Sequence, residues 1–394
     1  MNEQTSNKAK VLIISLAYFP FIGGAEVAVK EIIKRLGSPE GEFEFDLITC
    51  NLDGQQKNEE QFENVKIYRV GQGKLGKLFF PFLAYKKAVE LHKKNNYGLV
   101  WSIMANRAGL AALKVKEKFP GIKYLLTLQE GDPVSHIYKR TWFWFWRYKK
   151  IYQKADYAQV LSKWLEERAI KFGYQGKIKV VPNGVDINKF KSNYIQASVK
   201  EELKSQLKIN SSDKIIFTTS RLVKKNDVKS LIQAIKILMV DYKKQVVLLV
   251  AGEGELEKEL KILTKKLNLE NNIIFLGHIS QNNLPLYYSL TDIFVRPSLT
   301  EGQGISFMEA MAMGTPVIAT PVGGIPDFLK AGETGWFCEV KNPKSIAEKI
   351  NYILNEKNKS EVDRVVAKAR NMVEEKYTWE KVAGEMGKIF KELC

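Results

Sequence analysis

The chain is poor in the residues that build metal and disulfide sites. Its three cysteines, Cys50, Cys338 and Cys394, are odd in number and far apart. That excludes a disulfide framework and fits a reducing compartment. The three histidines, His92, His136 and His278, are equally scattered, so no zinc pattern exists. No Asp-X-Asp pair occurs, which removes the simplest acidic pair for a hard divalent cation. No apolar run approaches the ~18 residues that span a bilayer. Lys8 and Lys10 precede Val11–Tyr18 as the basic region of a signal peptide precedes its apolar core. No small-residue cleavage site follows, so the segment is expected to be a first strand instead.

What is present is ordinary globular material: 45% apolar and 27% charged residues over 394 positions. That length predicts two domains of just under ~200 residues each. The net charge of +17 is uneven. Residues 1–200 hold 33 Lys+Arg against 19 Asp+Glu, whereas residues 201–394 hold 28 against 25. Such asymmetry points to an anionic partner for the first half, either nucleic acid or phospholipid headgroups.

Residues 1–9 are polar and expected to be disordered. Strands are expected at Val11–Leu16, Phe45–Cys50, Val65–Val70, Leu99–Met104, Tyr124–Leu128, Asp156–Leu161 and Ile178–Val181, with helices after Gly23-Gly24, over 79–94, over 107–118 and after Ser162. His92 is expected on a helix surface. Residues 187–212 are polar and charged and read as an interdomain linker. Strands then recur at Lys214–Thr219, Val246–Ala251, Ile273–Leu276, Ile293–Arg296, Val317–Thr320 and Gly335–Val340. Helices fall at 228–242, 255–267, 282–290, 304–313 and 324–331, and three more close the chain at 343–356, 360–376 and 379–393. This alternation predicts an α/β protein with two Rossmann-like, doubly wound parallel sheets facing across a cleft, with ligands at the carboxyl ends of strands.

The stretch from Arg296 to Pro316 is the most informative. A glycine-rich turn, with Gly302 and Gly304, leads into a short helix ending at Gly314. The opened backbone suits an anion, while Glu301 and Glu309, with seven residues between them, suit hydroxyl groups. Together they fit a ligand with phosphate in the middle and hydroxyls at both ends, such as a nucleotide-sugar. Alone, Glu309 reads rather as a solvated first-turn glutamate favoured by the helix dipole. Arg221, with Lys224 and Lys225 behind it, reads as a diphosphate clamp or as a basic surface turn. Gly23-Gly24, and more weakly Gly252 and Gly254, allow close backbone approach or simply make tight turns. Gly71-Gln72-Gly73-Lys74-Leu75-Gly76 matches the dinucleotide fingerprint literally but lies outside the first strand–helix unit, so no nicotinamide or flavin role is assigned. His136 lies near the acidic loop Gln129-Glu130-Gly131-Asp132 and is a candidate for acceptor-side chemistry. His278 follows a strand and reads as structural. The aromatic–basic stretch Lys139–Lys150 fits interfacial membrane contact, nucleic-acid stacking, or a buried helix with charged ends.

Taken together, the motifs resemble glycosyltransferase family 4. Thr300–Gly304 through Glu309–Val317 looks like its Glu-x7-Glu signature. Phe19-Pro20 with Gly23–Glu26, Val181–Asp186, Ser220–Val223 and Pro321–Pro326 agree in order, so the resemblance covers nearly the whole chain. It implies a GT-B fold, with an acceptor-binding domain over 1–190 completed by the last helix at 378–394, and a nucleotide-sugar-binding domain over 191–377. It implies a retaining, metal-independent hexosyltransferase-type enzyme with no cofactor, in which Glu301 meets the donor sugar, Glu309 the ribose and Arg221 the diphosphate. Lys225, Asn226, Gly23, Gly24, Gly302, Gln303, Gly304 and Ile305 complete the expected donor side. Gln129, Glu130 and Asp132 are expected on the acceptor side. Three positions depart from the family pattern: Asn226 where a lysine is usual, Gln129-Glu130 where a histidine is common, and Gln303 where an aromatic is usual. The expected partners are a nucleotide-sugar, a lipid-linked or saccharide acceptor and an anionic membrane surface on the inner, cytoplasmic face, with no nucleic acid. A same-fold epimerase and a basic nucleic-acid-binding protein are the rival readings.

Overall fold

The strand–helix alternation resolves into two parallel sheets in a computed structural model, which describes residues 8–191 and 195–394 apart from the side chain of Arg140. The polar start lies outside the described residues as far as residue 7, and Ala9 already belongs to the first strand. The chain forms two compact units, one of residues up to Gly184 with Trp379–Cys394, the other Val185–Thr378.

The first unit holds β1 (Ala9–Ile14), β2 (Phe43–Asn51), β3 (Glu59–Phe62), β4 (Val65–Gln72), β5 (Leu99–Ile103), β6 (Lys123–Leu128), β7 (Tyr157–Val160) and β8 (Lys177–Val180). Their order is β3-β4-β2-β1-β5-β6-β7-β8, with every pair parallel except β3–β4. Val11–Ile14 and Leu99–Ile103 are buried along their whole length because helices cover both faces, which is why they are apolar runs, broken only by Ser102, whose hydroxyl lies 3.1 Å from that of Tyr124. The last helix, Trp379–Leu393, packs in this unit, with Phe390 against Phe43 at 5.4 Å and Trp101 at 5.2 Å between ring centroids.

The second unit holds β9 (Lys214–Thr219), β10 (Val246–Ala251), β11 (Ile273–Gly277), β12 (Ile293–Arg296), β13 (Val317–Ala319) and β14 (Trp336–Phe337), in the order β11-β10-β9-β12-β13-β14 and all parallel. Successive residues of β9 serve opposite layers. Ile215 and Phe217 join a cluster with Tyr288, Phe294 and Phe307, while Ile216 joins Ile235 and Leu238 on the other side. Each such buried side chain contributes roughly 2 kcal/mol.

Several elements differ from the sequence-based expectation. Strand β3, with sequence EEQF, has no apolar alternation; it is an antiparallel edge held by main-chain bonds to β4. The stretch expected to be a linker contains a helix at Ala197–Gln206, and its Leu203 packs with Phe190 and Ile209 in the second core. The helix expected at 324–331 shrinks to one turn at Ile325–Asp327, because the N–H of Lys330 is taken by the Thr334 hydroxyl. The strand expected at Gly335–Val340 shortens to Trp336–Phe337. The helix expected at 79–94 starts at Gly73. His92 is half-buried, with its ring 4.5 Å from that of Phe119.

Candidate active site

The order of the second sheet reverses between β9 and β12. Loops leaving two such strands turn opposite ways and open a crevice at their carboxyl ends. The sequence-predicted residues of this unit gather on these loops and on the helix Ile305–Ala312 that follows.

After β9, Arg221 is exposed and makes no ion pair among the described residues. Its loop is shaped by glycines of the β10 loop. A Cβ at Gly252 would lie 2.0 Å from the Ser220 carbonyl oxygen, and one at Gly254 2.3 Å from that of Leu222. The two glycines thus give room to the backbone around Arg221. Asn226 is buried, and its Nδ2 donates to the Arg221 carbonyl at 2.6 Å. The Lys225 carbonyl accepts from the N–H of Leu299 at 2.7 Å, tying this loop to the one after β12.

After β12, the backbone of Glu301 is braced by the neighbouring turn. Gly324 N–H donates to the Glu301 carbonyl at 3.1 Å, and a Cβ at Gly323, where φ is +57°, would sit 1.9 Å from that oxygen. The Glu301 carboxylate accepts from Gly302 N–H at 3.1 Å on Oε1 and from Arg296 on Oε2. Arg296 escaped the sequence analysis as a site residue. The available signal was a charged residue closing an otherwise apolar buried strand, which requires a partner. Its guanidinium also donates to Ser306 Oγ at 3.0 Å and to Asn226 Oδ1 at 3.2 Å.

The helix Ile305–Ala312 starts at Gly304, where φ is +89° and a Cβ would meet the Phe307 ring at 2.6 Å. Its cap residue is a glycine that supplies no side-chain acceptor, and the Phe307 N–H turns back to the Gly304 carbonyl at 3.2 Å; a helix start of this kind suits an anion. Gln303 is buried beside it, and Glu309 is buried on the same helix at 4% exposure. The Tyr288 hydroxyl lies 3.0 Å from Glu309 Oε2 and 3.1 Å from the Ser306 carbonyl, so one proton serves two acceptors. Burial pushes the Glu309 carboxyl up to about 7; the Tyr288 hydroxyl and the charges of Lys189 and Arg296 only partly offset it. Among the described residues no group of three His, Cys, Asp or Glu is placed to hold a metal ion.

In the first unit, Gly23 and Gly24 open the helix Gly24–Leu36 where that sheet reverses, between β1 and β5. Both are exposed. Gly23 has φ −141°, and a Cβ there would meet only the flexible Glu26 side chain, so the fold itself does not demand glycine. Glu130 turns to the backbone: its carboxylate accepts from the N–H groups of Ala105 and, at 3.2 Å, Gln129. Burial raises its pKa, against the pull of Arg168 and these donors. Arg168 donates to the carbonyls of Glu130 at 3.0 Å and Asp132 at 2.6 Å, and Gln129 Oε1 accepts from Asn183 at 3.3 Å. His136 and His278 are exposed. The fingerprint-like glycines make a turn: a Cβ at Gly71 would lie 2.7 Å from the Cα of Gly76.

Known proteins resemble this chain in sequence and in fold. Residues 22–189 match the family described as Glycosyltransferase Family 4, and residues 199–372 that described as Glycosyl transferases group 1. An uncharacterized glycosyltransferase of Methanocaldococcus jannaschii is 29% identical over 97% of this chain and 98% of its own. The alpha-monoglucosyldiacylglycerol synthase of Streptococcus pneumoniae is 25% identical over 77% of this chain and 69% of its own. In fold, HepE of Anabaena, solved in complex with UDP and glucose, superposes with a TM-score of 0.79 at 19% identity over 98% of this chain and 100% of its own. Two Rossmann-like domains, the Glu301–Glu309 signature and two family matches that together run through most of the sequence lead to one conclusion: the chain belongs to glycosyltransferase family 4 and has the GT-B fold.

Proposed function

We propose that the enzyme is a retaining, metal-independent hexosyltransferase that takes its sugar from a nucleoside diphosphate sugar. The observation that carries this reading is the convergence of Glu301, the Arg221 loop and the uncapped helix bearing Glu309 at the reversal point of the second sheet. Arg221, Lys225 and the helix N-terminus neutralise the diphosphate, Glu301 accepts from sugar hydroxyls, and Glu309 accepts from the ribose. Gly23 and Gly24 let the first unit's backbone approach the donor. Gln129, Glu130 and Asp132 border the acceptor side, with Glu130 shaping the loop. The sugar–phosphate bond breaks as the acceptor hydroxyl attacks from the same face, and the departing phosphate oxygen takes the hydroxyl proton. Charge builds on that oxygen, and preformed cations and N–H dipoles stabilise it.

The acceptor is proposed to be lipid-linked or a glycan, in surface polysaccharide or glycolipid synthesis, with the enzyme peripheral on the cytoplasmic membrane face. Among the described residues no helix is long and apolar enough to cross a membrane. The support for surface binding lies in the first unit. Trp142, Phe143 and Trp146 are 60–76% exposed among Lys149, Lys150 and Arg147. On the helix Gly73–Asn95, Leu75, Leu78, Phe79 and Phe82 form an exposed stripe at helical spacing. Lys114 of the next helix lies over Phe82. Apolar rings amid cations suit an anionic bilayer interface.

Calorimetry with UDP-, GDP- and ADP-sugars tests the donor claim: saturable binding by wild type, lost in Glu309→Ala and with turnover lost in Glu301→Gln, is expected. Unchanged binding and turnover in both variants would remove the site. An inverted anomer by NMR would overturn the retaining step.

A further inference from the structure

We propose that Arg296 is a positioning residue of the donor site, one guanidinium that orients both Glu301 and the loop carrying Arg221. This rests on the donor reading above. The guanidinium sits at the end of β12, where the sheet reverses, and its side chain is 12% exposed. It reaches three partners on different segments: the Glu301 carboxylate, Asn226 Oδ1 at 3.2 Å and Ser306 Oγ at 3.0 Å. Asn226 passes the constraint on, because its Nδ2 holds the Arg221 carbonyl at 2.6 Å. Glu301 is thereby linked, through Arg296 and Asn226, to the backbone of Arg221.

The planar fork is what makes this possible. A guanidinium offers five N–H donors in fixed directions, and here Nη1 takes Ser306 while Nη2 takes Asn226 and Glu301; the three donors of a lysine all leave one nitrogen on a flexible stem and cannot copy that spread. The remaining lone pairs of Glu301 are left free, since Oε1 is engaged by one backbone N–H and Oε2 by Arg296. Without its cation, which lies over the Phe307 ring at 5.6 Å, a carboxylate that is 13% exposed would turn out toward water and lose its aim. Arg296 therefore acts through Glu301 and Arg221, and its loss is felt mainly in the chemical step.

One consequence is specific to this geometry. Positions 226 and 296 face each other, so the site holds room for one cation and repels a second. Asn226→Lys sets an ammonium against the guanidinium and also removes the tether on the Arg221 carbonyl. It is expected to lower turnover, although it brings positive charge toward the diphosphate.

The test uses the full chain with UDP-glucose and GDP-mannose, taking whichever binds more tightly. Donor Kd comes from calorimetry and turnover from the slow release of nucleoside diphosphate to water, with thermal unfolding as a control. Arg296→Gln is expected to cut turnover about 100-fold with Kd changed less than about threefold. Asn226→Lys is expected to cut turnover about tenfold, and the double variant to lose at least about tenfold less than the product of the two single losses, because without the guanidinium the ammonium meets no repulsion. Arg296→Lys, which keeps the charge, serves if the glutamine variant does not fold; it should still lose about tenfold in turnover. Strictly additive single effects, or full turnover in Arg296→Lys, overturn the proposal while leaving the donor reading intact. A wild type that binds neither nucleotide-sugar overturns that reading and the proposal with it.

Discussion

Glu309→Gln separates stability from function at one atom pair. The Glu309 carboxyl has an ordinary value of 4.5 and is raised to about 7, first by burial. Between those values the native state holds a proton that the unfolded state has released. Native stability from this group therefore falls as pH rises from 4.5 to 7 and is flat above. The ionised carboxylate costs about 3 kcal/mol at pH 8. Glutamine has the same shape and no charge, so the variant should be more stable than wild type at about pH 8 by up to about 3 kcal/mol. In a domain of this size that is roughly 5–10 °C in unfolding midpoint. At about pH 4 the gap should close, since both side chains are then neutral. Donor binding should run the other way. If hydroxyls of the ribose donate to the carboxylate, wild-type affinity for a nucleoside diphosphate sugar should weaken about tenfold from pH 8 to pH 6. The diphosphate of such a donor is esterified at both ends and does not titrate there. The glutamine variant should bind more weakly at pH 8 and show no such slope. Scanning calorimetry and titration calorimetry across pH check both halves. A variant no more stable at pH 8 than at pH 4, relative to wild type, would refute the buried charge, and parallel affinity profiles would refute its role in binding.

Gly323→Ala forces a Cβ to 1.9 Å from the Glu301 carbonyl oxygen at a left-handed backbone position. It should cut donor turnover about 100-fold by shifting Glu301 and lower the midpoint of thermal unfolding. Arg221→Ala removes an exposed side chain without an ion pair among the described residues, so stability should stay within about 0.5 kcal/mol. Its kcat/KM should nonetheless fall about 100- to 1,000-fold in steady-state assays. Trp142→Ser with Trp146→Ser should weaken co-sedimentation with anionic vesicles at least about tenfold at low salt, and donor Kd should stay unchanged.

The sheet strands were the most legible part of the sequence. Val246–Ala251 and Val11–Ile14 are apolar because they are covered on both faces, and such runs need no partner to be recognised. Strand β3 was illegible because it has no apolar alternation and its side chains reach β4 through the ion pairs Glu60–Arg69 and Glu59–Lys66, and the helix Ala197–Gln206 because one buried leucine gives almost no period. At the site, Glu301, Glu309 and Arg221 stood out by motif. Arg296 did not, since its three partners at positions 226, 301 and 306 meet only after β9 and β12 pair. Asn226 looked like a substituted ligand in sequence; the structure shows a tether between two loops. The glycines at 252 and 254 looked like openings for a ligand or turns, and each is where one backbone leans on another.

The return of Trp379–Leu393 into the first unit sets an order of synthesis. Phe43, Phe45 and Trp101 are made early, but the ring that covers them, Phe390, lies beyond the whole second unit in the sequence. During translation the first unit therefore waits, with that apolar face uncovered, until the whole second unit has been made. Until then the nascent first unit keeps exposed an apolar face of the kind that makes folding intermediates prone to aggregate.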